Sequence, residues 1–254
     1  MNQLTTSGIG AAPERHCHHD FQISCSNCRL SQICLPIALD VADIDKLDSI
    51  IQRGRPLRKG DHVFRQDEPF TAVYAVRSGT LKSYSTTDNG QEQVTAFYFP
   101  GEILGMDGIS KNRHPSSAIA LETASICEIP FELLGDLSIR IPSLQRHFFQ
   151  LMSQEIAEDQ QLITMLSKNS AEQRVAALLL SISARNAQRK LSATAFRLSM
   201  SRADIGNYLG LTVETVSRIF SRFQKSGMIN VDGKEVVIVD AAQLRETVNG
   251  TACV

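Results

Sequence analysis

No stretch of the chain approaches the roughly 18 uncharged apolar residues that a bilayer-spanning helix needs, and the opening MNQLTTSGIGAAPER lacks a basic-then-apolar signal layout. Both absences predict a cytoplasmic protein. Fifteen Gly and eight Pro are too few for a fibrous or low-complexity chain. Catalytic signatures are missing as well: there is no Gly-x-Ser-x-Gly elbow, no Walker loop and no His-Glu-x-x-His. His62, His114 and His147 lie far apart and form no His-x-His pair. No enzyme is expected. What is present, 254 residues with 43% hydrophobic and 21% charged, suits one or two globular domains with ample core material.

The net charge of −1 hides an asymmetry. Residues 168–239 carry 11 Lys and Arg against 5 Asp and Glu, and the remainder carries 15 against 22. A basic C-terminal third on an acidic body fits a chain in which only that third meets nucleic acid.

Five segments read differently. Residues 1–35 are polar, hold four of the six Cys and show no period. Residues 36–139 alternate short strand patterns, such as Ala72–Val76 and Gln93–Phe99, with glycine punctuation; Asp88, Asn89 and Gly90 form a hairpin signal. That spacing predicts an antiparallel sandwich, roll or barrel. Residues 140–168 read as one long helix, with Phe149, Met152, Ile156, Asp159, Ile163 and Leu166 at steps of 3, 4, 3, 4 and 3. This is a heptad seam with an acid in it, and a second stripe through Leu144, Phe148, Leu151 and Leu162 faces the roll. Two apolar stripes need two partners, so the seam predicts a homodimer interface of Phe149, Met152, Ile156, Asp159 and Ile163. Residues 169–240 read as helices followed by a hairpin at Asp232 and Gly233, and residues 241–254 as a frayed tail. The fold class is α+β: a β-roll, a long dimerisation helix and a winged helix-turn-helix.

The stretch SMSRADIGNYLGLTVETVSRIFSRFQKSGMI divides into two helices. Ser201 can cap the first, with Ala203, Ile205 and Leu209 inward; Gly210 makes the turn; Thr212 can cap the second, with Val216, Ile219, Phe220 and Phe223 inward. Glu214, Ser217, Arg218 and Ser221 then share the outward face. Arg218 can give two bonds to guanine, Glu214 can accept from the cytosine amino group, and Ser217 suits either edge. Arg202, Arg222 and Lys225 suit phosphates. Caps, spacing, wing and charge converge on double-stranded DNA.

Cys25-x2-Cys28-x5-Cys34 places three thiols within ten residues. In a reducing compartment such clusters mean metal or redox chemistry more often than disulfides. A fourth ligand must come from elsewhere, with Cys17, Cys127 and Cys253 as candidates, and His16, His18 and His19 lie near. Zinc remains open on the short loop; iron–sulfur ligation tolerates the irregular spacing.

Taken together, the Cys cluster, a further Cys in ICEIPFELL, the long helix and GNYLGLTVETVSR resemble the oxygen-responsive fumarate and nitrate reduction regulators of the cAMP receptor protein superfamily, over Cys25 to Val239. The resemblance implies a [4Fe–4S] cluster on Cys25, Cys28, Cys34 and Cys127, stable without oxygen. It also implies a homodimer that binds a palindrome like TTGAT-N4-ATCAA through Glu214, Ser217 and Arg218, and that acts through RNA polymerase on genes of anaerobic metabolism. The alternative is a regulator of the same architecture that responds to a small molecule and carries a structural zinc. Cyclic-nucleotide-binding relatives carry a Gly-Glu turn and an Arg-Ser that grips the cyclic phosphate. Here those stretches read Gly105-Met106-Asp107-Gly108 and Pro115-Ser116-Ser117, so no cyclic nucleotide is expected. Arg29 follows Cys28 where the family often has a small polar residue, and Asp159 in the seam is expected to keep the dimer marginal.

Overall fold

The computed structural model describes residues 24–250. Cys17, the His-rich stretch and Cys253 lie outside these residues.

A 3-10 turn, Leu35–Ala38, leads to α1 (Val41–Ile50), whose first turn is closed by the Asp40 carboxylate accepting from the Asp43 amide at 2.9 Å. The strands that follow form a roll. One sheet orders β1 (His62–Phe64), β6 (Ser117–Ala120), β3 (Leu81–Thr86) and β4 (Glu92–Tyr98); the other orders β5 (Ile103–Leu104), β2 (Ala72–Ser78) and β7 (Ser125–Pro130). All pairings are antiparallel. The hairpin expected at residues 88–90 joins β3 to β4, with Gly90 at φ +77°. Alternation places Leu81, Ala118, Ala120, Ala72 and Leu104 in one buried cluster between the sheets. The other face of β2 and β7, through Val73, Ala75 and Ile129, packs on the helices.

Those helices are α2 (Phe131–Arg140) and α3 (Pro142–Lys168). Pro142 opens α3, where its missing N–H costs nothing. At 27 residues α3 is about 40 Å long. Leu144 and Phe148 are buried against the roll, as expected of that stripe.

The C-terminal lobe contains α4 (Ala171–Gln188), β8 (Ala195–Arg197), α5 (Arg202–Leu209), α6 (Val213–Lys225), the hairpin β9 (Ile229–Asp232) and β10 (Glu235–Ile238), and α7 (Ala241–Asn249). The wing has three strands, since β8 pairs with β10. Residues 241–249 correct the expectation of a frayed tail. Asp240 caps α7 through the Gln243 amide at 2.9 Å, and Leu244 and Thr247 are buried. Among the described residues no helix is long and apolar enough to cross a membrane.

The lobe shares a core with the roll. Val94, Phe97, Phe99 and Leu121 belong to the same buried cluster as Val175, Leu179, Ile205, Phe220 and Phe223. Polar contacts reinforce the joint. Lys82 on β3 pairs with Asp204 on α5 at 2.7 Å, and Asn207 accepts from the Val94 amide at 2.5 Å and donates to the Glu92 carbonyl at 2.7 Å. Both members of the Lys82–Asp204 pair are largely shielded from solvent, so losing either one would leave a poorly solvated charge.

Candidate metal centre and nucleic-acid interface

Residues 24–34 fold as successive turns. The Cys28 amide donates to the Cys25 carbonyl at 3.4 Å, the Ser31 amide to the Cys28 carbonyl at 3.1 Å, and the Cys34 amide to the Leu30 carbonyl at 2.9 Å. The winding turns the thiols toward β7, where register sets Cys127 opposite Ala75. Cys25, Cys28, Cys34 and Cys127 thus line one cavity of about 30 Å³. Leu30, Leu35, Ile51, Val76 and Ile129 form its apolar walls, with the guanidiniums of Arg53 and Arg77 on its rim and neither carboxylate nor imidazole in its lining.

Burial pushes the Cys25 thiol up to about 12, helped by the Asp48 carboxylate, and burial, with the neighbouring Cys127 and Cys28, carries the Cys34 thiol to about 12 against a backbone hydrogen bond from Leu35. Cys127 is raised too, chiefly by burial, with Arg53 and Arg77 pulling the other way. As free thiols these groups hold their protons at neutral pH, and a bound cation would have to displace them. As the side chains stand, no three His, Cys, Asp or Glu among the described residues converge to hold a metal ion. Four thiols in a mostly apolar lining, with Arg53 and Arg77 as the charged residues and Ser24 and Ser31 as the hydroxyls there, fit an anionic iron–sulfur centre. Arg29 is exposed, outside that lining.

The loop also reaches the C-terminal lobe. Lys190, just past α4 and at φ +58°, donates to the Gln32 side-chain oxygen at 2.7 Å.

At the other end, Ser201 and Asp204 form a reciprocal capping box on α5. Gly210 ends that helix at φ +64°, and the Leu211 amide donates to the Gly206 carbonyl at 2.8 Å. A Cβ on Gly206 would lie 2.6 Å from the Leu211 carbonyl oxygen, so the turn closes only over a glycine. Thr212 caps α6 by accepting from the Thr215 amide at 3.2 Å. Val216, Ile219, Phe220 and Phe223 are buried, as expected. Ala203 corrects the expected inward face of α5: it is exposed, because two residues before Ile205 is about 200° around a helix. Glu214, Ser217, Arg218, Ser221, Arg222 and Lys225 are all exposed on α6. Backbone amides and the Thr212 hydroxyl at the start of α6 hold the Glu214 carboxyl below its ordinary range, so it is an acceptor at neutral pH. Arg222 pairs with Glu172 of α4. Arg202 is half-buried, its guanidinium 3.5 Å from the Phe220 ring centroid.

On α3, Phe149, Ile156 and Ile163 are 56%, 59% and 64% exposed along one stripe, with Asp159 exposed among them. Met152 differs from its heptad neighbours, being partly buried against the helix-facing core of the roll. Sequence reasoning missed Asp48, Arg53 and Gln32 beside the thiols, and Lys82, Asp204 and Asn207 between the lobes. None belongs to a local motif; only tertiary proximity marks them.

A sensory roll fused to a winged helix-turn-helix defines a DNA-binding transcription regulator. Residues 54–139 match the cyclic nucleotide-binding domain family, and residues 173–247 match the Crp-like helix-turn-helix domain family. The chain is 52% identical to the transcriptional activator protein Anr of Pseudomonas aeruginosa, over 94% of this chain and 95% of that one. It is 49% identical to the fumarate and nitrate reduction regulatory protein of Vibrio cholerae, over 88% and 90%. Among solved structures, FixK2 from Bradyrhizobium japonicum superposes with a TM-score of 0.72 at 29% identity, covering 78% of this chain and 97% of that one. The chain belongs to the fumarate and nitrate reduction regulator (Anr) family of Crp-type transcription regulators, and its relatives are regulators rather than enzymes.

Proposed function

We propose that this chain is an oxygen-responsive regulator of anaerobic metabolism whose Cys25, Cys28, Cys34 and Cys127 hold a [4Fe–4S] cluster. The observation that carries the reading is that four thiols line one cavity with neither carboxylate nor imidazole in its lining. A bound cluster would supply an oxygen-labile redox centre there. The chain's own part is to join the site to the rest of the molecule: Leu35 and Ile51, which line it, belong to the core packed on α3, and Gln32 on the same turns meets Lys190.

Two copies then pair along α3. A periodic apolar stripe left bare on a 27-residue helix needs a partner. Phe149, Ile156 and Ile163 centre the seam, Met152 lies at its roll-facing edge, and Asp159 opposes closure by like-charge repulsion. Burial and the neighbouring Glu158 and Asp107 already push the Asp159 carboxyl up. In the dimer Glu214, Ser217 and Arg218 read bases of a TTGAT-N4-ATCAA palindrome, while Arg202, Arg222 and Lys225 contact phosphates, Arg222 exchanging Glu172 for the backbone. RNA polymerase is the further partner. Cyclic nucleotides are not effectors, because Asp107 takes up the Ser116 hydroxyl at 2.7 Å and, with Glu155 and Asp159, makes the surroundings hostile to a cyclic phosphate.

Iron and acid-labile sulfide per chain, with the visible spectrum of anaerobically purified protein before and after air, test the reading. About four of each, with absorbance that bleaches in air, support it. One zinc with neither sulfide nor colour leaves the DNA-binding half and removes oxygen sensing.

A further inference from the structure

Arg53 lies three residues past the end of α1, and two constraints fix where it sits. Its neighbour Gln52 makes a two-way backbone bridge to Glu128, the residue after Cys127, at 2.8 and 2.9 Å. Its guanidinium is engaged by the Asp48 carboxylate from the last turn of α1. From there one Nη donates to the Cys25 sulfur at 3.6 Å. Asp48 closes the figure, because the same carboxylate oxygen accepts from the Cys25 backbone amide at 2.7 Å. Cys25 is therefore held twice, at its amide by Asp48 and at its sulfur by Arg53. Through Arg53 the first thiol of the loop is tied to the strand that carries the last. The Arg53 Nε is buried and has no hydrogen-bond partner, leaving the guanidinium a donor in reserve beside the cavity.

We propose that Arg53, aimed by Asp48, is a positioning residue of the metal centre: it fixes Cys25 against β7 and donates to its sulfur, protecting the bound centre from loss. This rests on the thiol cavity being the cluster site. The Asp48–Arg53 pair is 25% and 23% exposed, so as an ion pair it adds little to stability. What it supplies is geometry. One Nη serves the carboxylate and the sulfur at once, and the rigid guanidinium plane fixes the direction of both bonds, whereas a lysine ammonium sits on a flexible stem. An N–H bond to a ligand sulfur draws off thiolate charge, a recognised control on iron–sulfur centres.

The test uses the full chain and Arg53→Lys, Arg53→Gln and Asp48→Asn. In metal-free, reduced protein, alkylation by iodoacetamide is followed at Cys25 and Cys28 by peptide mass spectrometry. Cys25 is expected to react at least tenfold more slowly than Cys28 in the parent and at nearly the same rate in Asp48→Asn and Arg53→Gln, the access gained on releasing Cys25 outweighing, in Arg53→Gln, the thiolate stabilisation lost with the guanidinium. In anaerobically loaded protein, the half-life of the visible absorbance in air is expected to shorten about tenfold in the same two variants, within the usual range for outer-shell partners. Arg53→Lys should fall between parent and Arg53→Gln in both assays, and being close in length and charge it guards against a variant that fails to fold. An unchanged labelling ratio overturns the clamp; a changed ratio with an unchanged half-life overturns its role toward the centre. Should the parent hold zinc without sulfide, the cluster reading fails separately, and the labelling ratio alone decides whether Arg53 holds Cys25.

Discussion

The recognition helix and the thiol cavity are assembled in different ways. Helix α6 is capped by Thr212, anchored by four buried side chains and turned out of α5 over Gly206 and Gly210, so its outward residues are in place before any ligand arrives. The thiol cavity depends on parts far apart in the chain: three thiols on the 24–34 turns and a fourth on β7, with Asp48 and Arg53 from the end of α1 holding Cys25 beside that strand. The outward face of α6 is therefore fixed locally, whereas the thiol cavity exists only once the tertiary fold has formed.

The contrast can be broken most forcefully in the two cores. Phe223→Ala should cost about 3–5 kcal/mol of stability, with or without metal, by emptying a fully buried site under α6. Cys34→Ala should change metal-free stability by no more than about 1 kcal/mol yet abolish iron and sulfide binding, because only a methyl-sized loss occurs in an apolar wall. Urea denaturation and metal analysis read the pair; equal destabilisation by both would erase the distinction. Next in size, Arg218→Ala should weaken binding to the palindrome by about 1–3 kcal/mol per half-site and relax the preference at one base pair, with cluster content unchanged. Binding titrations against sites altered at single positions check this, and a uniform loss on every sequence would assign Arg218 to the phosphates instead.

The smallest effect sharpens the boundary between roll and α3. Burial, with Asp107 and Asp159 nearby, lifts the Glu155 carboxyl to about 7, and the Tyr98 hydroxyl donates to it at 3.3 Å. Since the folded value lies above the unfolded one, the folded state binds more protons, and stability falls as pH rises from the ordinary carboxyl range through about 7. Thermal unfolding should therefore show a lower Tm at pH 8 than at pH 6, and Glu155→Gln should flatten that slope. A Tm that climbs over this interval in the parent and variant alike would place the controlling titration elsewhere.

The recognition helix was legible in the sequence because its determinants are local: a capping residue, a glycine turn, and apolar residues at helical spacing. The cluster of Cys25, Cys28 and Cys34 was legible by type and spacing for the same reason, whereas Cys127 was one of three open candidates until β7 set it on the same cavity. Arg53 and Asp48 were not legible, since nothing near either residue distinguishes it until α1 and the Gln52–Glu128 bridge bring it to Cys25. Short elements misled in another way. Helix α7 is only nine residues long, so its Asp240 cap and Leu244 anchor were lost in a tail-like composition, and three-residue β8 has no period to detect. The face of Ala203 was misjudged because the first turn of α5 is spent on the capping box rather than on packing. Met152 keeps the heptad spacing, yet it packs against the core that buries Leu144 and Phe148, while Phe149 is left bare.

The core shared by Val94, Phe97 and Phe99 of the roll with Ile205, Phe220 and Phe223 of the C-terminal lobe bears on how such chains diversify. A lobe imported from a distant relative would arrive without side chains cut to fit these three, and would meet Lys82 without its Asp204. Roll and C-terminal lobe are matched to each other across this joint, so a change of base preference disturbs the fold least when it is confined to the exposed face of α6.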